Sequence, residues 1–141
     1  MATVFTMIIN GELPGHFLWR DDTCVSFLSI NPIQTGHALI VPRAEVDHWI
    51  DLPTETNQHL MGVAHAVGVA QQGVFSPVRV GQMIAGFEVP HVHLHTIPMW
   101  SMVDMDFANA AASVDHDKLA GVAGRLRDSL SAAGHAAVSD S

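Results

Sequence analysis

The chain has 141 residues, 48% of them hydrophobic and 14% charged, with a formal net charge of −8. That length suits one domain spanning 1–141, which would bury about two-thirds of its unfolded surface. Only 6 Lys plus Arg stand against 14 Asp plus Glu, so a broad nucleic-acid surface is excluded, because it needs a basic patch. No apolar run reaches the ~18–20 residues of a membrane span. No basic segment precedes an apolar stretch at the amino terminus, so no signal peptide is expected and the location is read as cytoplasmic. The single cysteine, Cys24, excludes an internal disulfide, fits a reducing compartment and reads as a small core residue. A small anionic ligand stays open, because backbone N–H groups and imidazoles can hold phosphate without lysines.

In chain order, Val4 to Asn10 forms a short first helix ending near Gly11. His16–Trp19 and Cys24–Ser29 read as strands joined by a turn at Asp21-Asp22, and Asn31-Pro32 ends the second. Thr35-Gly36 is a turn before a strand over His37–Val41, which Pro42 limits. Pro53-Thr54-Glu55 opens a helix with Leu60, Val63, Ala64, Val67 and Ala70 at helical spacing, and Gly73 is its expected stop. His59 and His65 lie six apart on it, do not share a face and make no paired metal site. Arg79–Ala85 and His91–Ile97 read as further strands. Met99–Ala112 is apolar but irregular, with Trp100, Met102, Met105 and Phe107 able to cover a site. A last helix starts near Asp115, carries Leu119, Val122, Leu126 and Leu130 on one stripe, and stops near Gly134. His116 and His135 sit at its ends, facing solvent. These elements predict an α+β domain with a mainly antiparallel sheet.

The stretch richest in chemistry is His91-Val92-His93-Leu94-His95. Residues two apart share a face of a strand, so the three imidazoles line one side. Two chemistries fit such a row. It can ligate a metal, usually zinc, with further ligands from elsewhere. It can also supply a nucleophile and proton carriers near neutral pH, a neutral imidazole nitrogen attacking phosphorus. The bland alternative is a hydrogen-bonded or solvated strand face, disfavoured because clustered ionisable groups concentrate at functional sites.

The wider pattern resembles the histidine triad (HIT) family. Ile8-Ile9-Asn10-Gly11-Glu12-Leu13-Pro14 looks like its amino-terminal "IIxGExP". Asp21-Asp22 followed by Val25-Ser26-Phe27-Leu28-Ser29-Ile30-Asn31-Pro32 resembles "ED…AFxDIxP", and Gly36 to Arg43 resembles "GHxLVIPK". Ala85-Gly86 and Val89 before the histidines fit "AGQxVxHxHxH". The resemblance covers a core of about 5–100, leaving 101–135 as a helical extension. It implies a five-stranded, mainly antiparallel sheet with a long helix across it, a carboxy-terminal helix, and pairing as a homodimer. It also implies a small-molecule nucleotide substrate and no cofactor or required metal. The activity implied is a hydrolase that cleaves a nucleoside phosphoramidate, dinucleoside polyphosphate or related conjugate at the α-phosphate.

By that resemblance His93, the middle histidine, is the nucleophile that forms a nucleotidyl-imidazole intermediate. His91 and His95 contact phosphate oxygens or orient His93, and His37 is a further histidine near the site. Ile8, Phe27 and Ile30 wrap the base and sugar. Several positions depart from the pattern. Ser29 stands where an Asp usually binds the ribose, offering a hydroxyl instead of a charged double acceptor. Val80 takes the place of an Asn, Phe87 that of the Gln of "AGQ", and Glu88 adds negative charge where phosphates would sit. Thr3 and Thr6 occupy the positions of a Cys-x-x-Cys that holds structural zinc in some members. Two alternatives remain on the same fold: a non-catalytic nucleotide-binding or interaction protein, and a nucleotidyltransferase.

Overall fold

The computed structural model describes residues 2–141. Helix α1 (Val4–Ile9) is short, and its N-cap Thr3 accepts the backbone N–H of Thr6 through its hydroxyl, the usual way to satisfy an orphan donor. Strands β1 (Phe17–Arg20) and β2 (Cys24–Leu28) form a hairpin. Asp21 holds its turn by accepting the N–H groups of Thr23 and Cys24. Strand β3 (Ala38–Pro42) follows. Helix α2 (Thr54–Phe75) runs two residues past Gly73, the expected stop, and ends where Ser76 turns left-handed at φ 50°. Strands β4 (Arg79–Met83) and β5 (Leu94–Met99) precede α3 (His116–Ala132), whose N-cap Asp115 accepts from Asp117 and Lys118.

The sheet has the order β1-β2-β3-β5-β4 with every adjacent pair antiparallel. One face packs against α2 and α3, where Leu18, Leu28, Ile40, Val67, Leu94, Leu126 and Leu130 belong to one buried cluster. The other face carries a smaller cluster of Phe5, Phe17, Val25, Phe27, Leu39 and Val41. Strands β2 and β3 are buried throughout, as strands covered on both faces must be.

Strand β4 ends at Met83 instead of Ala85, and two expectations for the last strand change. The last strand starts at Leu94 instead of His91. The N–H of His91 bonds to Val89 and that of Val92 to Val46, so loop partners hold the first residues of the histidine row. The alternation nonetheless persists: Val92 and Leu94 enter the cluster under the helices, while His93 meets Phe5 on the opposite face. Pro98, just past the expected end at Ile97, lies within β5. Strand β3 pairs with β5 only as far as Ala38↔Thr96, whereas β4 continues to Arg79↔Met99. Beyond Thr96 one flank of β5 has no strand, and a proline is tolerated there.

That splaying of β3 from β5 would strand two carbonyls, and Gln71 of α2 meets both. Its fully buried side-chain amide donates to Gly36 O at 2.8 Å and Thr96 O at 3.0 Å. These residues adjoin His37 and His95. Gly36 has φ +90°, and a Cβ there would collide with the Phe75 ring, so only glycine fits the approach to His37. Replacing Gln71 with Leu would orphan both buried carbonyls and is expected to lower stability by about 2–4 kcal/mol. Urea unfolding measures this, and an unchanged midpoint would remove the anchoring role.

Candidate active site

The histidines converge on the face of the sheet opposite α2, and the bond partners fix which nitrogen of each ring holds hydrogen. His93 Nδ1 lies 2.7 Å from the carbonyl oxygen of His91. A carbonyl can only accept, so Nδ1 carries the hydrogen and Nε2 keeps a free lone pair. At His37, Nδ1 accepts the N–H of Ile33 at 3.1 Å, which leaves Nε2–H to donate to His95 Nδ1 at 2.8 Å. His95 therefore holds its own hydrogen on Nε2. A lone pair on His93 thus sits beside an N–H donor on His95, with the rings 5.0 Å apart.

Burial keeps these rings neutral. It lowers the His93 pKa from 6.5; the bond to His91 opposes that, the His91 ring lowers it further, and Glu88 opposes it. Burial, and then the neighbouring imidazoles, push His37 down to about 4 and His95 down to about 3. Phe5 from α1 meets the His93 ring edge-on at 4.9 Å, and Phe107 meets His95 likewise at 5.0 Å. Each imidazole is thus braced by an aromatic ring.

His91 also meets Phe5, at 5.8 Å, but lines neither of the two hollows beside His93 and His95. It is fully buried. Nε2 donates to Pro42 O at 2.7 Å, so Nδ1 accepts from the Thr3 hydroxyl at 2.6 Å. Both nitrogens are thus engaged within the protein. Glu45 accepts the Thr3 N–H at 2.8 Å and is held below the usual carboxylate range by bonds from Thr6 and Thr3. This corner does not fit the structural zinc that the resemblance associates with these positions. Neutral hydroxyls are poor replacements for thiolates, and these are engaged in hydrogen bonds.

Two hollows meet at His93 and His95. The larger, about 410 Å³, has walls that include Ile8, Phe27, Ser29 and Ile30, with His37 and Glu88 also at its surface. Every expected site residue except His91 lines it. The smaller, about 120 Å³, is lined by Ala85, Gly86, Phe87, Glu88 and Phe107 together with His93 and His95. Ser29 Oγ accepts the N–H of Asn31, so its own hydrogen remains available. Phe107 was expected only as one of several apolar residues able to cover a site; Trp100 and Met102 line neither hollow. Val80 lines neither as well, and packs toward Gly68 of α2 on the far face of the sheet. Thr3 and Phe5 were missed as site residues, although an N-cap signal and an apolar position stood in the sequence.

Other histidines are engaged elsewhere. His59 bonds Asp21 at 2.6 Å, and Asp21 also accepts from Trp19 and two backbone N–H groups. Nearby, burial and Asp21 push the Cys24 thiol up to about 12, which fits an inert core cysteine. His116 is exposed, as expected, and stacks on His16 at 5.4 Å, whereas His135, also expected to face solvent, is half-buried against Trp19 at 5.2 Å.

Residues 10–102 match the family model of the HIT domain. An uncharacterized HIT-like protein of Methanocaldococcus jannaschii is 35% identical over 101 residues, which span 69% of this chain and 78% of that protein. The adenosine 5'-monophosphoramidase of Saccharomyces cerevisiae is 34% identical over 98 residues, 69% of this chain and 62% of that protein. Among solved structures, a HIT-like protein involved in cell-cycle regulation from Bartonella henselae superposes with a TM-score of 0.79 at 22% identity, covering 90% of this chain and 95% of that one. A Zn-bound histidine triad family protein from Mycobacterium smegmatis gives 0.78 at 23%, covering 94% and 96%. At such identities the two structures demonstrate a shared fold. With the HIT model matched across the sheet and the histidine row, this chain belongs to the histidine triad family.

Proposed function

We propose that this chain is a hydrolase that cleaves a nucleotide at its α-phosphate through a covalent intermediate on His93. The observation that carries this is the bond from His93 Nδ1–H to the His91 carbonyl, which leaves the Nε2 lone pair free on a ring that lines the hollow. Nε2 attacks phosphorus as the bond to the leaving group breaks, and the leaving group departs with a proton from solvent. Water then attacks the phosphoimidazole, releasing the nucleoside monophosphate, a proton and neutral His93. His95 Nε2–H donates to a phosphoryl oxygen, and His37 holds that hydrogen in place. Ile8, Phe27 and Ile30 take the base and sugar, and Ser29 bonds a ribose hydroxyl.

The substrate class is a nucleoside phosphoramidate, a dinucleoside polyphosphate or a related conjugate. The yeast relative's name as an adenosine 5'-monophosphoramidase supports the first. None of these steps calls for a cofactor. Among the described residues no helix is long and apolar enough to cross a membrane. The lone, buried, reduced cysteine supports our assignment to the cytoplasm. Exposed Met61 and Val69 on α2, with exposed Val78 before β4, support pairing with a second copy.

His93→Ala is expected to abolish turnover of adenosine and guanosine phosphoramidates and diadenosine polyphosphates while leaving the circular dichroism unchanged. Mass spectrometry of quenched protein should find a nucleotidyl adduct in the wild type alone. Full activity in the variant sinks the role, and wild type inert on all of these substrates favours a binding protein. In pH profiles, the acid limb of kcat/KM should have its midpoint below the ordinary imidazole value of 6.5, because burial lowers the His93 pKa and Nε2 must be unprotonated to attack. A midpoint at or above 6.5 contradicts this. Thr3→Val should lower kcat about tenfold with little change in KM, by unpairing His91 Nδ1 and loosening the carbonyl that orients His93. Thr3→Ser should restore it, and equal kcat in all three proteins removes Thr3 as a positioning residue.

A further inference from the structure

The small hollow beside His93 shares Glu88, His93, His95 and Phe107 with the larger one and adds Ala85, Gly86 and Phe87. Its polar residues are the two imidazoles and Glu88, and its aromatic residues are Phe87 and Phe107. Phe87 is 97% exposed, an unusual position for a phenyl ring with nothing packed on it. Among the described residues lining either hollow, Glu88 is the one with a formal charge, and no Lys or Arg joins it. The imidazoles are uncharged at neutral pH because of their burial. The face that meets the leaving group is therefore anionic and aromatic.

We propose that this hollow receives an organic cation, so that the preferred substrate is a nucleoside phosphoramidate whose leaving amine carries a second, positively charged amino or guanidino group. This deepens the hydrolase reading and rests on it. The apolar larger hollow suits a base, which leaves the smaller one for the group on the other side of phosphorus. An ammonium there meets a carboxylate and aromatic faces, and both attract it. A polyphosphate chain in the same place meets a carboxylate and no cation, so each added phosphate is repelled. Glu88 and Phe87, which depart from the family pattern at adjacent positions, acquire one joint role: they choose the leaving group.

The test compares two adenosine 5'-phosphoramidates of nearly equal length, one of 1,5-diaminopentane and one of hexylamine. Wild type should favour the diamine by about tenfold in kcat/KM, a size drawn from an exposed cation–π contact plus an ion pair. In Glu88→Gln and in Phe87→Ser the ratio should fall toward one. Both changes are on exposed side chains, so the fold is not at risk. Raising the salt concentration should shrink the wild-type ratio. A wild-type ratio near one, or a preference unchanged in Glu88→Gln, overturns the assignment. Equilibrium binding of the same two compounds to His93→Ala separates the two readings. Selective binding of the diamine without wild-type turnover keeps the cation site and overturns the hydrolase. Unselective binding with brisk turnover of both overturns the cation site and keeps the hydrolase.

Discussion

The site depends on the carbonyl oxygen of His91, which lies 2.7 Å from Nδ1 of His93. A carbonyl accepts and never donates, so its position decides where the hydrogen of His93 resides and which nitrogen keeps its lone pair. Much of the surrounding structure steadies that oxygen. Pro42 of β3 and Thr3 before α1 grip the His91 ring from both nitrogens, and Phe5 presses on the His93 ring. The first helix is only six residues long, too short to be stable alone, yet it supplies Phe5, and Thr3 is its N-cap residue.

A second directional chain ends on His95. It starts at a backbone N–H that can only donate, that of Ile33, and passes through His37. The two chains bring opposite characters side by side, a lone pair on one ring and a donor on the next. Gln71 ties the backbone beside His37 to the backbone beside His95. The helix layer is therefore tied, from the opposite face of the sheet, to the backbone next to His37 and next to His95.

Much of this could be read from the residues. Alternating histidines imply a shared face, and His93 and His95 do share one. The apolar spacing of α2 and α3 marked both helices and the stripes they bury. What escaped depends on contacts distant in sequence. The partners of His91 lie 88 and 49 residues away, so spacing alone could not tell a ring that lines the hollow from one that braces it. Val80 could be aligned by order but not by face, because a one-residue offset in a strand moves a side chain to the other side. Phe107 sits in a 3-10 turn with no periodicity to announce it. The strand began three residues late because backbone partners at Val89 and Val46 are invisible to side-chain patterning.

Keeping His37 and His95 uncharged also has a thermodynamic consequence for the whole molecule. Freed by unfolding, each imidazole would titrate near its ordinary value of 6.5, whereas in the fold they hold off protons until about 4 and about 3. Between those values the unfolded chain binds protons that the native state refuses. Native stability is complete above pH 6.5 and drains away below it, by about 1.4 kcal/mol per pH unit for each ring. Acidification thus draws the equilibrium toward the open chain, and the two rings at the centre of the site share in that loss.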